Sequence, residues 1–186
     1  MENVKIALFI ADGTEETEAI TTLDILRRAK LDTDLISISD YLEVITSHNV
    51  KVTADKTYRD IDINDYDMIV LPGGLRGTAN FKASETLAGW IRDFAAKGKG
   101  LAAICAAPSV FSGLGILNGI DATANPGFQE VIANDGAILH ADDKAVTCGN
   151  IITSQAMGTS VPFALEIVAM YSGREAADKL KADIVY

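Results

Sequence analysis

Several residue types are scarce in this 186-residue chain. There are two cysteines, two histidines, one tryptophan and four prolines. Cys105 and Cys148 are too few to form the disulfide framework of a small secreted domain. Neither stands in a Cys-x-x-Cys spacing and both histidines are isolated, so no metal site is expected. Basic side chains are also in short supply: 16 against 26 acids, a net charge of −10. With no basic cluster, neither nucleic acid nor an anionic membrane surface is an expected partner. No apolar run approaches the roughly 20 residues of a membrane span. The opening stretch MENVKIALFIADG lacks a basic region and a cleavage site, so it is not read as a secretory signal, and a reducing cytoplasm is the expected location. There is no Gly-x-Gly-x-x-Gly after a strand and no Walker lysine, which argues against a nucleotide cofactor. Repeats and low-complexity tracts are missing as well.

What remains is the composition of an ordinary globular protein, long enough for one domain over residues 1–186. Its pattern alternates. VKIALFIA (4–11), TDLISIS (33–39), YDMIVLPGG (66–74) and the run to Ile104 read as buried strands. Residues 14–30, 84–98, the stretch from Ala106, and 159–173 and 175–183 read as helices, with Thr14 as the expected N-cap of the first. Residues 42–62 look like a small hairpin excursion around SHN at 47–49. DATAN (121–125) reads as a short strand, GFQEVIAN (127–134) as a helix and AVTCGNIITS (145–154) as two short strands. Continuous apolar strands separated by helices imply a parallel sheet covered on both faces, a doubly wound three-layer α/β fold. Such folds gather their sites at the carboxyl ends of strands. DGTEETE, PGG and CAAP each follow a core strand, and NPG (125–127) follows the short one.

Cys105 lies at the turn between a buried strand and a helix start, a place that suits either a buried small side chain or a nucleophile. Glu15, Glu16 and Glu18 open the first helix, where acids complement the helix dipole. If Ile20, Leu23 and Leu26 form the core face, periodicity aims Glu16 most nearly inward and Glu18 to one flank. The backbone N–H groups of the Gly73-Gly74 turn and of Ala106 could together bind an oxyanion. Asn125 suits an N-cap, with Pro126 at the first helical position. His48 in a polar turn and His140 beside two acids read as surface residues, so no Cys-His dyad can be assigned.

ADGTEETE (11–18), LDILRRA (23–29), YDMIVLPGG (66–74), AAICAAP (102–108), IITS (151–154), GTSVPFALEIV (158–168) and KADIVY (181–186), in this order, resemble the ThiJ/PfpI superfamily. The likeness is greatest to the branch holding the parkinsonism-associated deglycase, and it runs over nearly the whole chain. It implies a flavodoxin-like fold and a reactive, low-pKa Cys105 in a strained elbow. It also implies that Glu18, rather than Glu16, is the partner, a protonated carboxyl hydrogen-bonded to the thiolate. Gly73 and Gly74 match the family's oxyanion backbone. Many members carry a histidine where this chain has Asn125, which leaves Glu18 as the main acid–base group, with Asn125 and Glu16 as substrate-orienting candidates. Protease-like members place a histidine after the cysteine, and here that position is Ala106. The resemblance therefore implies a cofactor-free enzyme acting on reactive α-dicarbonyls or on damaged protein adducts, of glyoxalase or deglycase type. The alternatives are a redox sensor or chaperone of oxidative stress, whose cysteine becomes a sulfinic acid, and, disfavoured by Ala106, an amidase or peptidase. A homodimer is implied too, with residues 15–30 and 42–62 at the interface and Arg27, Arg28 or His48 as sources of positive charge near the cysteine.

Overall fold

The computed structural model describes residues 4–186. In chain order its strands and α-helices are β1 (Lys5–Ile10), α1 (Glu16–Arg28), β2 (Asp32–Ser37), β3 (Glu43–Ile45), β4 (Lys51–Thr53), β5 (Lys56–Thr57), β6 (Met68–Leu71), α2 (Leu75–Ala83), α3 (Glu85–Lys97), β7 (Gly100–Ile104), α4 (Pro108–Gly113), β8 (Asp121–Ala122), α5 (Pro126–Asn134), β9 (Ile138–Leu139), β10 (Ala145–Cys148), β11 (Ile151–Ser154), α6 (Ser160–Ser172) and α7 (Arg174–Asp183). Seven strands form the main sheet in the order β10-β11-β7-β6-β1-β2-β5. All pairs are parallel except β10 with β11.

The strand sequences explain this layering. Along β1, Ile6, Leu8 and Ile10 enter one core with Leu23, Leu26, Phe163 and Ile167 of α1 and α6, whereas Ala7 and Phe9 enter another with Phe81, Ile91, Phe94 and Phe111 of α2, α3 and α4. Both faces of the strand are buried, as a parallel sheet between two helical layers requires. The fold is the doubly wound three-layer α/β sandwich expected from the alternation, of the flavodoxin-like kind that the resemblance implies. The chain leaves β1 toward β2 on one side and returns through β6 on the other, so the strand order reverses between β1 and β6, where such sheets place their ligands.

Four local expectations need correction. Thr14 does not cap α1: its hydroxyl is buried and accepts the Ala11 N–H at 2.9 Å. Glu15 is the cap, its carboxylate accepting the Glu18 N–H at 2.7 Å. The excursion at 42–62 is more than a hairpin, because after the β3–β4 pair the chain adds β5 to the edge of the main sheet. LRGTANFKA forms α2, a helix with little periodic signal because only Leu75 and Phe81 in it are large and apolar. Likewise β9, two residues long, pairs with β8 in a separate ribbon.

Candidate active site

The carboxyl ends of β1, β6, β7 and β11 converge on Cys105. The residue stands between β7 and α4 with φ at +67°, a left-handed conformation that costs a side-chain-bearing residue of order 1 kcal/mol or more. Two backbone hydrogen bonds hold it there. Its N–H donates to the Ser154 carbonyl at 3.0 Å, and its own carbonyl accepts from the Asn125 N–H at 2.9 Å. Neighbouring strand ends thus clamp the elbow, and Pro108 starts the short helix beyond it.

Glu18 is the acid that turns inward. It is 1% exposed, and its Oε2 accepts the Gly73 N–H at 2.7 Å. The face chosen from periodicity was wrong in one respect. The buried stripe of α1 runs through Glu18, Ala19, Thr22, Leu23, Ile25 and Leu26, and Ile20 is 41% exposed. Rotating the stripe away from Ile20 brings Glu18 inside and leaves Glu16 at the rim. There Glu16 accepts from Ser47 Oγ at 2.9 Å and pairs with His48 Nδ1 at 2.9 Å. Partial burial works against the Glu16 charge, but its own backbone amide, Ser47, Thr46 and His48 hold its carboxyl down at about 2.

Glycine at 73 is a steric requirement. A Cβ there would stand 2.5 Å from Cys105 Cβ and 2.7 Å from Glu18 Oε2. Gly74 has φ at +88°, and a Cβ there would collide with the Gly13 carbonyl and lie 2.7 Å from the Glu15 nitrogen. The turn therefore packs directly on the cysteine–glutamate pair. Because the Gly73 N–H already donates to Glu18, it is not available to an oxyanion. The amides of Gly74 and Ala106 are the ones that face the Cys105 sulfur.

The electrostatics differ from the low-pKa thiolate expected above. Burial pushes Glu18 up to about 7, reinforced by the charge of Glu15 and opposed by the Gly73 amide and Cys105. Burial, followed by the charge and hydrogen bonding of Glu18, pushes the Cys105 thiol up to about 12, with the Gly74 and Ala106 amides opposing. The two groups meet in a poorly solvated corner that disfavours a second negative charge. Both groups are thus held toward their protonated forms, and the pair resists carrying two negative charges at once.

The other candidates lie further out. Asn125 caps α5, its Oδ1 accepting the Gly127 N–H at 3.0 Å, and it touches the elbow through its backbone. Arg27 binds the Thr33 carbonyl and Asp55, and Arg28 pairs with Asp24. Both stand at the far end of α1, about 14 to 15 Å along the axis from Glu18, so neither brings charge to Cys105 within one chain. His140 is held between Asp121 at 2.7 Å and Asp143 at 3.1 Å. Glu15, Glu16 and His48 offer one ligand atom each within 4.8 Å of one another, the grouping among the described residues that could hold a cation. Glu15 and Glu16 already accept hydrogen bonds from the Glu18 amide and Ser47. A cleft of about 370 Å³ opens beside the Asp12–Gly13 turn, lined by Asp12, Ser39, Arg76 and Asn80, and does not include Cys105.

Comparison with known families places this geometry. Residues 4–170 match the DJ-1/PfpI family. The chain belongs to that family. Among its curated DJ-1 relatives is Protein DJ-1 homolog B of Arabidopsis thaliana, 41% identical over 183 residues, which are 97% of this chain and 41% of that protein. The chain spans less than half the length of the two Arabidopsis DJ-1 homologs it matches. The glutathione-independent glyoxalase DJ-1 of Schizosaccharomyces pombe is 28% identical, covering 98% of this chain and 96% of that protein. The solved structure of oxidized Toxoplasma gondii DJ-1 superposes with a TM-score of 0.92 at 32% identity, covering 98% of both chains. Within this DJ-1 fold the Ser154 carbonyl, which holds the elbow, had no signal in side-chain identity, whereas the Gly74 and Ala106 amides were among the sequence candidates. Among the described residues, no helix is long and apolar enough to cross a membrane.

Proposed function

We propose that the chain is a cofactor-free glyoxalase- or deglycase-type enzyme in which Cys105 attacks reactive α-dicarbonyls and Glu18 moves the protons. The observation that carries this reading is the buried Glu18 carboxyl packed with a strained, amide-flanked Cys105. As sulfur adds to the aldehyde carbon of methylglyoxal, the thiol proton passes to the Glu18 carboxylate, and Glu18 hands it on to the developing alkoxide, giving a hemithioacetal and restoring the carboxylate. Glu18 then takes the proton from the former aldehyde carbon and returns one to the neighbouring carbon. Between these steps an enediolate forms, for which the Gly74 and Ala106 amides are the donors at hand. The product is a thioester of lactate on Cys105. Water cleaves it, releasing lactate and restoring the thiol, so that methylglyoxal plus water equals lactic acid with no external oxidant or reductant. The name of the S. pombe relative, a glutathione-independent glyoxalase, supports the reaction class.

The same thiol supports a second reading, a redox sensor in which peroxide takes Cys105 to a sulfinic acid beside Glu18. The oxidized form of the Toxoplasma relative favours keeping it. Lactate formation from methylglyoxal separates the two: the enzyme reading expects turnover that is lost in Cys105→Ser, and the sensor reading expects no turnover from either form. Homodimerisation belongs to this proposal as well. Ile20 of α1 and Tyr41, Leu42, Ile45 and Val50 in and around the β3–β4 hairpin are large, apolar and exposed, a patch suited to burial against a second copy. Light scattering of the purified chain checks it, with a dimer mass expected.

A further inference from the structure

Cys105 keeps its left-handed backbone through two bonds made by main chain alone, to the Ser154 carbonyl on one side and from the Asn125 N–H on the other. Ser154 is the last residue of β11, and Asn125 is the cap between β8 and α5. The exposed segment 140–144 runs past both and is tied to each. Gln155, next after Ser154, donates its side-chain amide to the Ala141 and Asp143 carbonyls at 2.8 and 2.9 Å. Gln129, one turn into the helix that Asn125 caps, donates its amide to the same Ala141 carbonyl at 2.9 Å and to the Ala124 carbonyl at 3.3 Å. The Ala141 oxygen thus takes a glutamine from each flank of the elbow, which uses both of its lone pairs. Ser154, fully buried, adds its hydroxyl, which donates to the Lys144 carbonyl at 2.6 Å. Nearer the sheet, the Thr123 N–H donates to Thr153 Oγ1 at 2.9 Å.

We propose that Gln129 and Gln155 are positioning residues of the Cys105 site: joined through the Ala141 carbonyl, they fix the spacing of the two segments that grip Cys105 and so hold its strained elbow in place. The functional half of this rests on the reading of Cys105 as the attacking group. A residue in a sparsely populated backbone conformation stays there only where its surroundings over-determine it. The Ser154 and Asn125 bonds can hold Cys105 only as firmly as their own segments are held. The strand ladder ends at Ser154, and beyond the Thr123–Thr153 bond it is the 140–144 strap that joins the two sides. Glutamine suits the task, because its amide carries two N–H donors on a long stem and one side chain can bridge two carbonyls. Both glutamines do so here.

The test uses the full chain with Gln129→Met, Gln155→Met and the double variant, changes that keep the stem and remove the amide. One arm follows amide hydrogen exchange by NMR at Cys105 and Asn125, with Leu8 of β1 as the reference for global unfolding. Each single variant is expected to speed exchange at Cys105 and Asn125 about 3- to 10-fold relative to Leu8, the worth of one or two hydrogen bonds. The other arm measures kcat and KM for methylglyoxal. There kcat should fall by a similar factor while KM holds, because what is lost is orientation and not binding. Since both glutamines act through one carbonyl, the double variant should lose less than the product of the single losses. Exchange at Cys105 and Asn125 that keeps step with Leu8 in all three variants overturns the proposal, and so does faster local exchange in an active enzyme whose kcat is unchanged. If no form, the parent included, turns over methylglyoxal, the enzyme reading fails, and the exchange ratio still decides whether the strap positions Cys105.

Discussion

Glu18→Gln removes a titrating group from the interior while leaving an oxygen to accept the Gly73 N–H, and its effect on stability depends on pH with a defined sign. The Glu18 carboxyl rises from an ordinary 4.5 to about 7, with burial as the largest cause. Between those values the folded chain holds a proton that the unfolded chain has released, so stability falls as pH rises through the window. Below 4.5 the penalty is absent, and above 7 it is complete. The difference, at about 1.36 kcal/mol per pH unit, is roughly 3 kcal/mol. Cys105 stays protonated throughout, since its thiol is pushed up to about 12. Urea unfolding at fixed protein concentration from pH 4 to pH 8 should show the stability of the parent minus that of Glu18→Gln declining by about that amount, mostly between pH 4.5 and 7. Curves that run parallel across the range would refute the assignment of the carboxyl to a buried, proton-retaining site.

Four further outcomes are expected, three at glycines and one at His140. Gly74→Ala should destabilise the chain by about 3 kcal/mol or more, and Gly73→Ala by about 1–3 kcal/mol with loss of Cys105 reactivity, because the first drives a Cβ into backbone and the second into side chains. Gly113→Ala, where a Cβ meets nothing within 4 Å, should be neutral or stabilising by about 0.5–1 kcal/mol, all three glycine variants being read by urea unfolding. Asp121 and then Asp143 raise the His140 pKa above the ordinary 6.5, so an NMR titration should find its midpoint there and Asp121→Asn should lower it. What this imidazolium adds to stability is present at low pH and is lost as pH rises through the midpoint.

The parallel sheet was legible because β1, β6 and β7 are unbroken apolar runs alternating with helices, the pattern of strands covered on both faces. Helix α3 was legible too, with Ser84 as cap and Gly98 in a left-handed turn closing it. Helix α2 was not, since Gly77 and few apolar residues give it little periodic signal, and β5 and β9 are too short to show an alternation. At the site, Cys105 stood out by its place at a strand end, but the choice between Glu16 and Glu18 turned on whether Ile20 faces in or out, and no local rule settles that. The direction of the Cys105 pKa was missed because helix-end and amide contributions can be read from sequence, whereas burial and the proximity of a carboxylate depend on how α1 packs against the β6 turn.

The central claim is that Cys105 and Glu18 act as one proton-sharing pair, and the pH dependence of lactate formation from methylglyoxal tests it most directly. The account predicts that kcat/KM rises with pH through about 7 as Glu18 ionises, and that His48→Ala and His140→Ala keep this limb. Cys105→Ser should abolish turnover at every pH. A limb that disappears with either histidine, or turnover that survives in Cys105→Ser, would contradict it.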